Sequence, residues 1–591
     1  MRAAAAKAAA AKAAAAKAGT AKAGTAKAAA AKAAAATLVA GLIAALVAVP
    51  LVSLARIAAE AGLTGIWRAL SGPQARVAIL HTVAVAAVVT VLAVTAGAAL
   101  ALAIERRPAR TLPRLLVAGP LVIPEFVLGF AWSQAYGPAG LSDRLARLVM
   151  PGLFGPAGII AVLTVYGLPL AYLAVTAGLA ARADPALERA ARAAGAGGWT
   201  ALRTVTLPLL RIPLLAAAAL VFVTAAGSFA VPQVLGTPAG FATMPTLVYD
   251  DLALSASPAA FTGLTVVALA LVVLVLLALG PLDLWLARLR PSARPDAPPA
   301  RHQSRTTGDR VVSVIVWAYA TFAAGIPMLT LVLTALTRGP GLLPVPANWT
   351  LANFSAGFSG GGGTALLRSA GLAFTAAILA PLLGSAVASL ARGRWRGPLA
   401  TLVTLAYAIP GSALAVGIII GYGRWLDGSV TIILLAYVAK FWVFGHRPVQ
   451  AALDRLPPGL TRAARLSGAG SATAVRTVVL PPLTVAMTTA AGLVFILAFH
   501  ELTMSTILYG PGTETFAVVI MNQQDLGGIG ATAALAVILT APVVAVAALA
   551  AWLARRPSRS ARPAPRPPAR PPVPPSACGS PAAPGGGPWF P

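Results

Sequence analysis

Residues able to do chemistry are few in this 591-residue sequence, and they are scattered. A single cysteine, Cys578, excludes an intramolecular disulfide and a multi-cysteine metal site, and four histidines argue against a histidine-rich one. A phosphate-cradling loop needs Gly-x4-Gly-Lys-Ser/Thr. No Gly-Lys dipeptide occurs, and Lys440 is the sole lysine after residue 32. No catalytic, metal or cofactor residue is therefore assigned, and energy for any work must come from a separate chain or an ion gradient. What remains are polar and ionisable residues set in apolar stretches. Glu125 follows Pro124, which predicts a kink; Ser228 and the pair His500-Glu501 stand in two other stretches. Intramembrane ionisable residues mark a pathway by default. Glu125, Ser228 and Glu501 are the candidate translocation path, with a protonated or locally bonded glutamate as the alternative for Glu125 and an outer-interface carboxylate as the alternative for Glu501. Lys440 reads as a snorkelling lysine and His81 as an interface residue.

The elements that position these residues follow from composition. Apolar residues make up 58% and charged residues 10%, with a mean hydropathy of +0.82. So little charge cannot coat several soluble domains, and an all-α integral membrane protein is predicted. Stretches of about 20 apolar residues span a bilayer as helix. They fall near 37–57, 77–104, 113–136, 156–181, 209–230 and 260–286, and again near 311–336, 366–391, 398–422, 428–446, 482–503 and 529–554. With the N-terminus inside, 36 Lys and Arg fall on the cytoplasmic side and 8 outside. That asymmetry orients the chain with both termini cytoplasmic, as a multi-pass protein of the cell membrane.

Residues 1–36 repeat Ala4-Lys. Lysines five apart step about 140° around a helix, so no apolar stripe forms, and a solvated basic tail is expected, with no specific nucleic-acid partner. The long cationic stretch before a full-length span does not fit a secretory signal. Residues 556–591 are Pro/Arg-rich and expected to be disordered. Residues 291–310, of similar composition, read as a cytoplasmic linker between two transmembrane domains, 37–290 and 311–555.

The two halves match. Leu187-Glu188-Arg189-Ala190-Ala191, Gly195 and Leu207-Pro208 recur 273 residues later as Leu460-Thr461-Arg462-Ala463-Ala464, Gly468 and Leu480-Pro481. Gly97 pairs with Gly384 at 287 and Pro124 with Pro410 at 286. The difference places about thirteen extra residues in the first half, most simply near 137–154. Both halves start inside, so the repeat is parallel, a pseudo-two-fold pair of six-helix units making twelve helices. On the same alignment Ser228 is the counterpart of Glu501. Gly195 and Gly468 permit a sharp turn, and Pro208 and Pro481 suit the first turn of the next membrane helix.

Ala-Ala-x3-Gly-x9-Val-x-Leu-Pro, present twice in the same loop, resembles the EAA signature of binding-protein-dependent ABC transporter permeases. The fused arrangement over residues 37–555 is similar to the ferric-iron and thiamine permeases, and the segment Glu501–Gly512 is most similar to the ferric-iron branch. The leading acid of the signature is replaced by Arg189 and Arg462, with Glu188 one position early. The resemblance implies a MetI-like fold and two ATPase-coupling loops, Glu188, Arg189, Ala190, Ala191, Gly195, Leu207 and Pro208 in one and Arg462, Ala463, Ala464, Gly468, Leu480 and Pro481 in the other. It implies ATP and Mg bound by two copies of a partner ATPase, an extracytoplasmic solute-binding protein as second partner, and lipid around the spans. The solute it implies is ferric iron, with thiamine, polyamine or phosphonate as alternatives. A gradient-driven twelve-helix secondary transporter is the competing class. It leaves the duplicated loops unexplained, and its basic Gly/Asp/Arg motif is missing from Ile104-Glu105-Arg106-Arg107-Pro108.

Overall fold

The computed structural model describes residues 30, 33–105, 111–182, 185–254, 257–288, 307–390, 396–457 and 459–555. The N-terminal tail before residue 30, the linker between 289 and 306 and the C-terminal tail lie outside the described residues. The described residues up to Val546 form one compact unit, and the helical residues Ala547–Arg555 belong to a second. Among the described helices of the first unit, two corresponding sets of eight position the site. The first set is α1 (Val49–Glu60), α2 (Pro73–Glu105), α3 (Thr111–Ala118), α4 (Glu125–Tyr136), α5 (Pro156–Arg182), α6 (Pro185–Ala193), α7 (Leu207–Ala226) and α8 (Ala230–Leu235). The second is α9 (Ile326–Leu336), α10 (Gly363–Leu390), α11 (Arg396–Ala408), α12 (Gly411–Leu426), α13 (Val430–Asp454), α14 (Leu460–Leu466), α15 (Leu480–Phe499) and α16 (Thr503–Leu508). A long helix, Pro258–Arg288 or Ile529–Arg555, follows each set.

Nine helices among the described residues are long and apolar enough to cross a membrane, and eleven if each of two bent pairs counts once. The last helix has an apolar stretch over Ile529–Ala545 that is shorter than a full span by the same measure. Two of the expected spans are not straight. The third breaks between Val122 and Glu125 with a 96° bend, and the ninth between Ala408 and Gly411 with a 100° bend. The cause is local. Pro124 holds φ −55° and ψ 137°, and Ile123 before it is extended. A residue preceding proline is pushed out of the α region. Pro410 repeats this at φ −60°, ψ 147°.

The fifth and eleventh spans begin earlier than expected. Helix runs without interruption from Gly198 to Ala226, and α15 is preceded by helical residues from Ser471. Pro208 and Pro481 therefore lie inside helices. Each follows a wide π-turn, Leu202–Thr206 or Val475–Val479. Two more prolines repeat the device, Pro50 after Ala44–Ala48 and Pro327 after Thr321–Gly325. Proline lacks a donor and its ring collides with the carbonyl four residues back. In all four cases that carbonyl lies within the π-turn, where the wider ring of backbone relieves the collision.

Within each half α2 crosses α5 and α10 crosses α13 at matched glycines. A Cβ on Gly97 would stand 2.8 Å from the Leu168 carbonyl oxygen, and one on Gly384 would stand 2.6 Å from that of Trp442. Small residues let membrane helices approach to backbone contact. Another matched pair is the bond from the Met244 amide to Thr82 Oγ1 and from the Phe516 amide to Ser369 Oγ, each 2.8 Å. The halves exchange their first helices: α1 packs on α12, and α9 packs on α4. The extra residues of the first half lie where expected. The segment between α4 and α5 holds a short helix, Leu141–Ala146, whereas α12 and α13 are joined by Asp427–Ser429.

Candidate functional site

Two regions hold the residues singled out by the sequence. The first is the duplicated loop. α6 and α14 are short helices, each closed by a glycine in the left-handed region, Gly195 and Gly468, both at φ 88°. The amide of Ala196 bonds the Ala191 carbonyl at 3.0 Å, and that of Ala469 bonds Ala464 at 3.0 Å. This six-to-one bond is the Schellman closure, which favours glycine because a Cβ is costly at positive φ. No atom lies within 4 Å of a Cβ built on either glycine, so the requirement is conformational and the surface beside it is open. Arg189 and Arg462 are exposed, as are Ala190 and Ala463, while Ala191 and Ala464 are half-buried. Leu187, Trp199, Leu460 and Leu466 stand exposed around the two loops. Glu188 pairs with Arg192 at 2.7 Å, an exposed i,i+4 pair of the kind that contributes about 0.3–0.5 kcal/mol.

The second region is a cavity of about 240 Å³ between the halves, lined by Glu125, Ser228 and Glu501 together. It lies where the broken spans meet the ends of α7 and α15, and Gly227 there faces Pro410 of the other half. The repeat equivalents lining it differ in chemistry. Glu125 is the counterpart of Gly411, Ser228 of Glu501 and Gly227 of His500, and Tyr166 is that of Lys440 on the 274-residue register by which Gly97 meets Leu168 and Gly384 meets Trp442.

Both carboxylates are held by the first turn of a short helix. Glu501 accepts from the amides of Met504 at 2.8 Å and Ser505 at 3.0 Å, at the start of α16. In the first half the matching position is Ser228. Its hydroxyl donates to Glu125, which reaches across from α4, with the Val231 amide of α8 directed at the same carboxylate. Each half thus supplies one carboxylate to the same place, from a different element. Free backbone amides at a helix start favour a negative charge.

Lys440 does not snorkel. Its Nζ donates to the carbonyl oxygens of Tyr407, at 3.3 Å, and Ile409, the last residues before the break at Pro410. That break leaves carbonyls without helical partners, and the ammonium turns inward to them. His500 lines the same cavity, and its Nε2 is buried with no hydrogen-bond partner. His81 bonds the Ala242 carbonyl at 2.9 Å and stacks on Phe241 at 3.8 Å. Outside the spans, burial pushes the carboxyls of Asp250, Asp251 and Asp525 above the usual range. Among the described residues no three His, Cys, Asp or Glu are grouped as a metal site.

Sequence reasoning missed the contacts that join the halves. Tyr136 Oη donates to the Phe322 carbonyl at 2.7 Å, and its counterpart Tyr422 donates to that of Ala45 at 2.5 Å. Trp132 Nε1 bonds the Ala323 carbonyl at 2.9 Å, four residues before Pro327. Each acceptor lies in a π-turn of the opposite half. The signal was an X-Pro step inside each half's first span, Pro50 and Pro327, paired with an aromatic 286 residues from its twin.

Residues 93–292 and 380–559 each match the family described as binding-protein-dependent transport system inner membrane component. A protein of Sinorhizobium fredii named as an ABC transporter permease is 26% identical over 502 residues, 81% of this chain and 87% of its own length. A thiamine transport system permease of Brucella melitensis is 29% identical over 285 residues, 46% of this chain and 49% of its own. A protein of Salmonella paratyphi A named as a 2-aminoethylphosphonate transport system permease is 29% identical over 226 residues, 36% of this chain and 83% of its own.

Proposed function

Because the chain belongs to the binding-protein-dependent transport system inner membrane components, with the domain present twice, we propose that it is a two-domain permease of an importer. An extracytoplasmic binding protein delivers the solute, two copies of an ATPase dock on the loops around Gly195 and Gly468, and both termini are cytoplasmic. As a permease component the chain leaves ATP hydrolysis to its partner. The observation that carries the docking is the identity of the two loops. Both glycines stand at the same φ, both close a Schellman turn, and both precede a π-turn and Leu-Pro. A plain surface loop has no reason to be built twice to the same geometry, whereas a dimeric partner needs two equivalent sockets.

Glu125, Ser228 and Glu501 belong to the path, the cavity they line being part of it. For the solute, the ferric-iron reading rests on the likeness of Glu501–Gly512 alone. Relatives named for thiamine and 2-aminoethylphosphonate transport favour a small organic solute. The test is reconstitution of the full chain with an ATPase and a binding protein of the same transport class from the same organism. ATP-dependent uptake that needs all three is expected. Uptake driven by a proton or sodium gradient without the ATPase would overturn the assignment and favour the secondary transporter.

A further inference from the structure

The ionic groups of the central cavity are not equally engaged. Glu501 is bonded to two helix-start amides, and Glu125 to the Ser228 hydroxyl. Their charges are met by donors that belong to the fold. Lys440 is met only by two neutral carbonyl oxygens, those of Tyr407 and Ile409. Among the described residues no carboxylate oxygen lies within the 4.0 Å of an ion pair, although the Glu501 charge acts on Lys440 across the cavity. An ammonium has three donors, and here two are used. Burying a charge without a counter-ion is costly, and the repeat shows that the fold does not require it: on the register of the Gly97–Leu168 and Gly384–Trp442 crossings the equivalent position in the first half is the neutral Tyr166. The neighbouring His500 also lines the cavity, its Nε2 is buried without a hydrogen-bond partner, and its counterpart is the glycine Gly227. Both incomplete groups come from the second half, and both face one space. At roughly 30 Å³ per water, that space holds several waters or one small solute group.

We propose that Lys440, with His500 beside it, is the receptor for an oxyanion of the solute at the gate, so that the transported class is a small organic anion or zwitterion bearing a carboxylate, phosphate or phosphonate. The ammonium exchanges its carbonyl partners for the solute's oxygens, and His500 supplies a second polar contact. The aromatic side chains of Tyr166, Tyr407 and Phe441 line the rest of the cavity and take the organic part. This rests on the permease reading above.

The test uses the full chain in lipid nanodiscs, with methylphosphonate, acetate and thiamine as separate probes. Binding is read by titration calorimetry, and assembly is read by ATPase co-purification. Methylphosphonate and acetate should bind the unaltered protein, and thiamine, a cation without an oxyanion, should not. Lys440→Met should weaken anion binding by about tenfold or more, the scale of one charge-assisted hydrogen bond. Lys440→Arg should retain most of it, and His500→Phe should weaken it less than Lys440→Met does. Each variant should still bring down the ATPase, which shows that it is folded. Anion binding that survives Lys440→Met, thiamine binding equal to that of the anions, or no anion binding by an assembled protein would each overturn the proposal. If the ATPase fails to assemble on the unaltered chain, it is the permease reading that fails.

Discussion

The duplicated loops and the central cavity are opposite cases within one repeat. In the loops the halves agree to the backbone angle: Gly195 and Gly468 share φ 88°, and the closing bonds match residue for residue. In the cavity they disagree at nearly every polar position, Glu125 against Gly411, Ser228 against Glu501, Tyr166 against Lys440. The difference teaches what each region meets. A symmetric partner demands equal sockets, whereas a single solute on the pseudo-two-fold axis touches both halves at once and gains nothing from symmetry. Where the fold itself imposes a need, the halves meet it by different routes, as the two carboxylate-held helix starts show.

Breaking the equal sockets should have the largest effect. Gly195→Asp and Gly468→Asp each force a side chain into the left-handed region at a docking surface. Each should lower uptake by roughly tenfold or more, the scale of a lost coupling of about 1–3 kcal/mol, with membrane abundance unchanged in quantitative blots. Normal transport by both variants in a strain lacking the native copy would remove the sockets from the account.

The compensated cavity offers a sharper test. Glu125→Gly strips the carboxylate from the start of α8 and should lower stability by about 1–2 kcal/mol, the usual cost of losing such a cap. Adding Ser228→Glu gives the first half the arrangement of the second, and should restore thermal unfolding toward the original. No restoration would mean that the two carboxylates are not equivalent. Smaller effects are expected at the inter-half bonds. Tyr136→Phe and Tyr422→Phe each remove one hydrogen bond, about 0.5–1.5 kcal/mol, and the two should be similar in denaturant unfolding because the bonds are repeat twins. Least of all, Glu188→Gln removes the Arg192 pair from the first loop alone and should change stability by under about 0.5 kcal/mol. A large loss of ATPase binding there would assign that carboxylate a docking role.

The sequence made the repeat legible because Gly, Pro and charged residues are rare enough in an apolar chain for their offsets to stand out. The loop glycines, the extra segment before α5 and the equivalence of Ser228 and Glu501 followed from those offsets, whereas the meeting of Glu125 with both in one cavity did not. The π-turns did not, since hydropathy reports which residues are apolar but not how a helix re-registers its hydrogen bonds around Pro50, Pro208, Pro327 and Pro481. The sharpness of the breaks at Pro124 and Pro410 was equally hidden: proline predicts a kink, but about 100° needs the extended residue before it as well. Lys440 was misread because its partners are backbone carbonyls released by one of those breaks, and no side-chain pattern announces them.

The central claim, that the two loops are equivalent sockets for one dimeric ATPase, is tested most directly by cross-linking. With Cys578 replaced by serine, a single cysteine is placed at Ala194 or at Ser467, exposed twins one residue before each glycine. Membranes containing the full transporter are then treated with a short thiol-to-amine cross-linker. The account predicts an adduct with the ATPase chain from both positions in similar yield. An adduct from neither position, with the ATPase present in the same membranes, would contradict it.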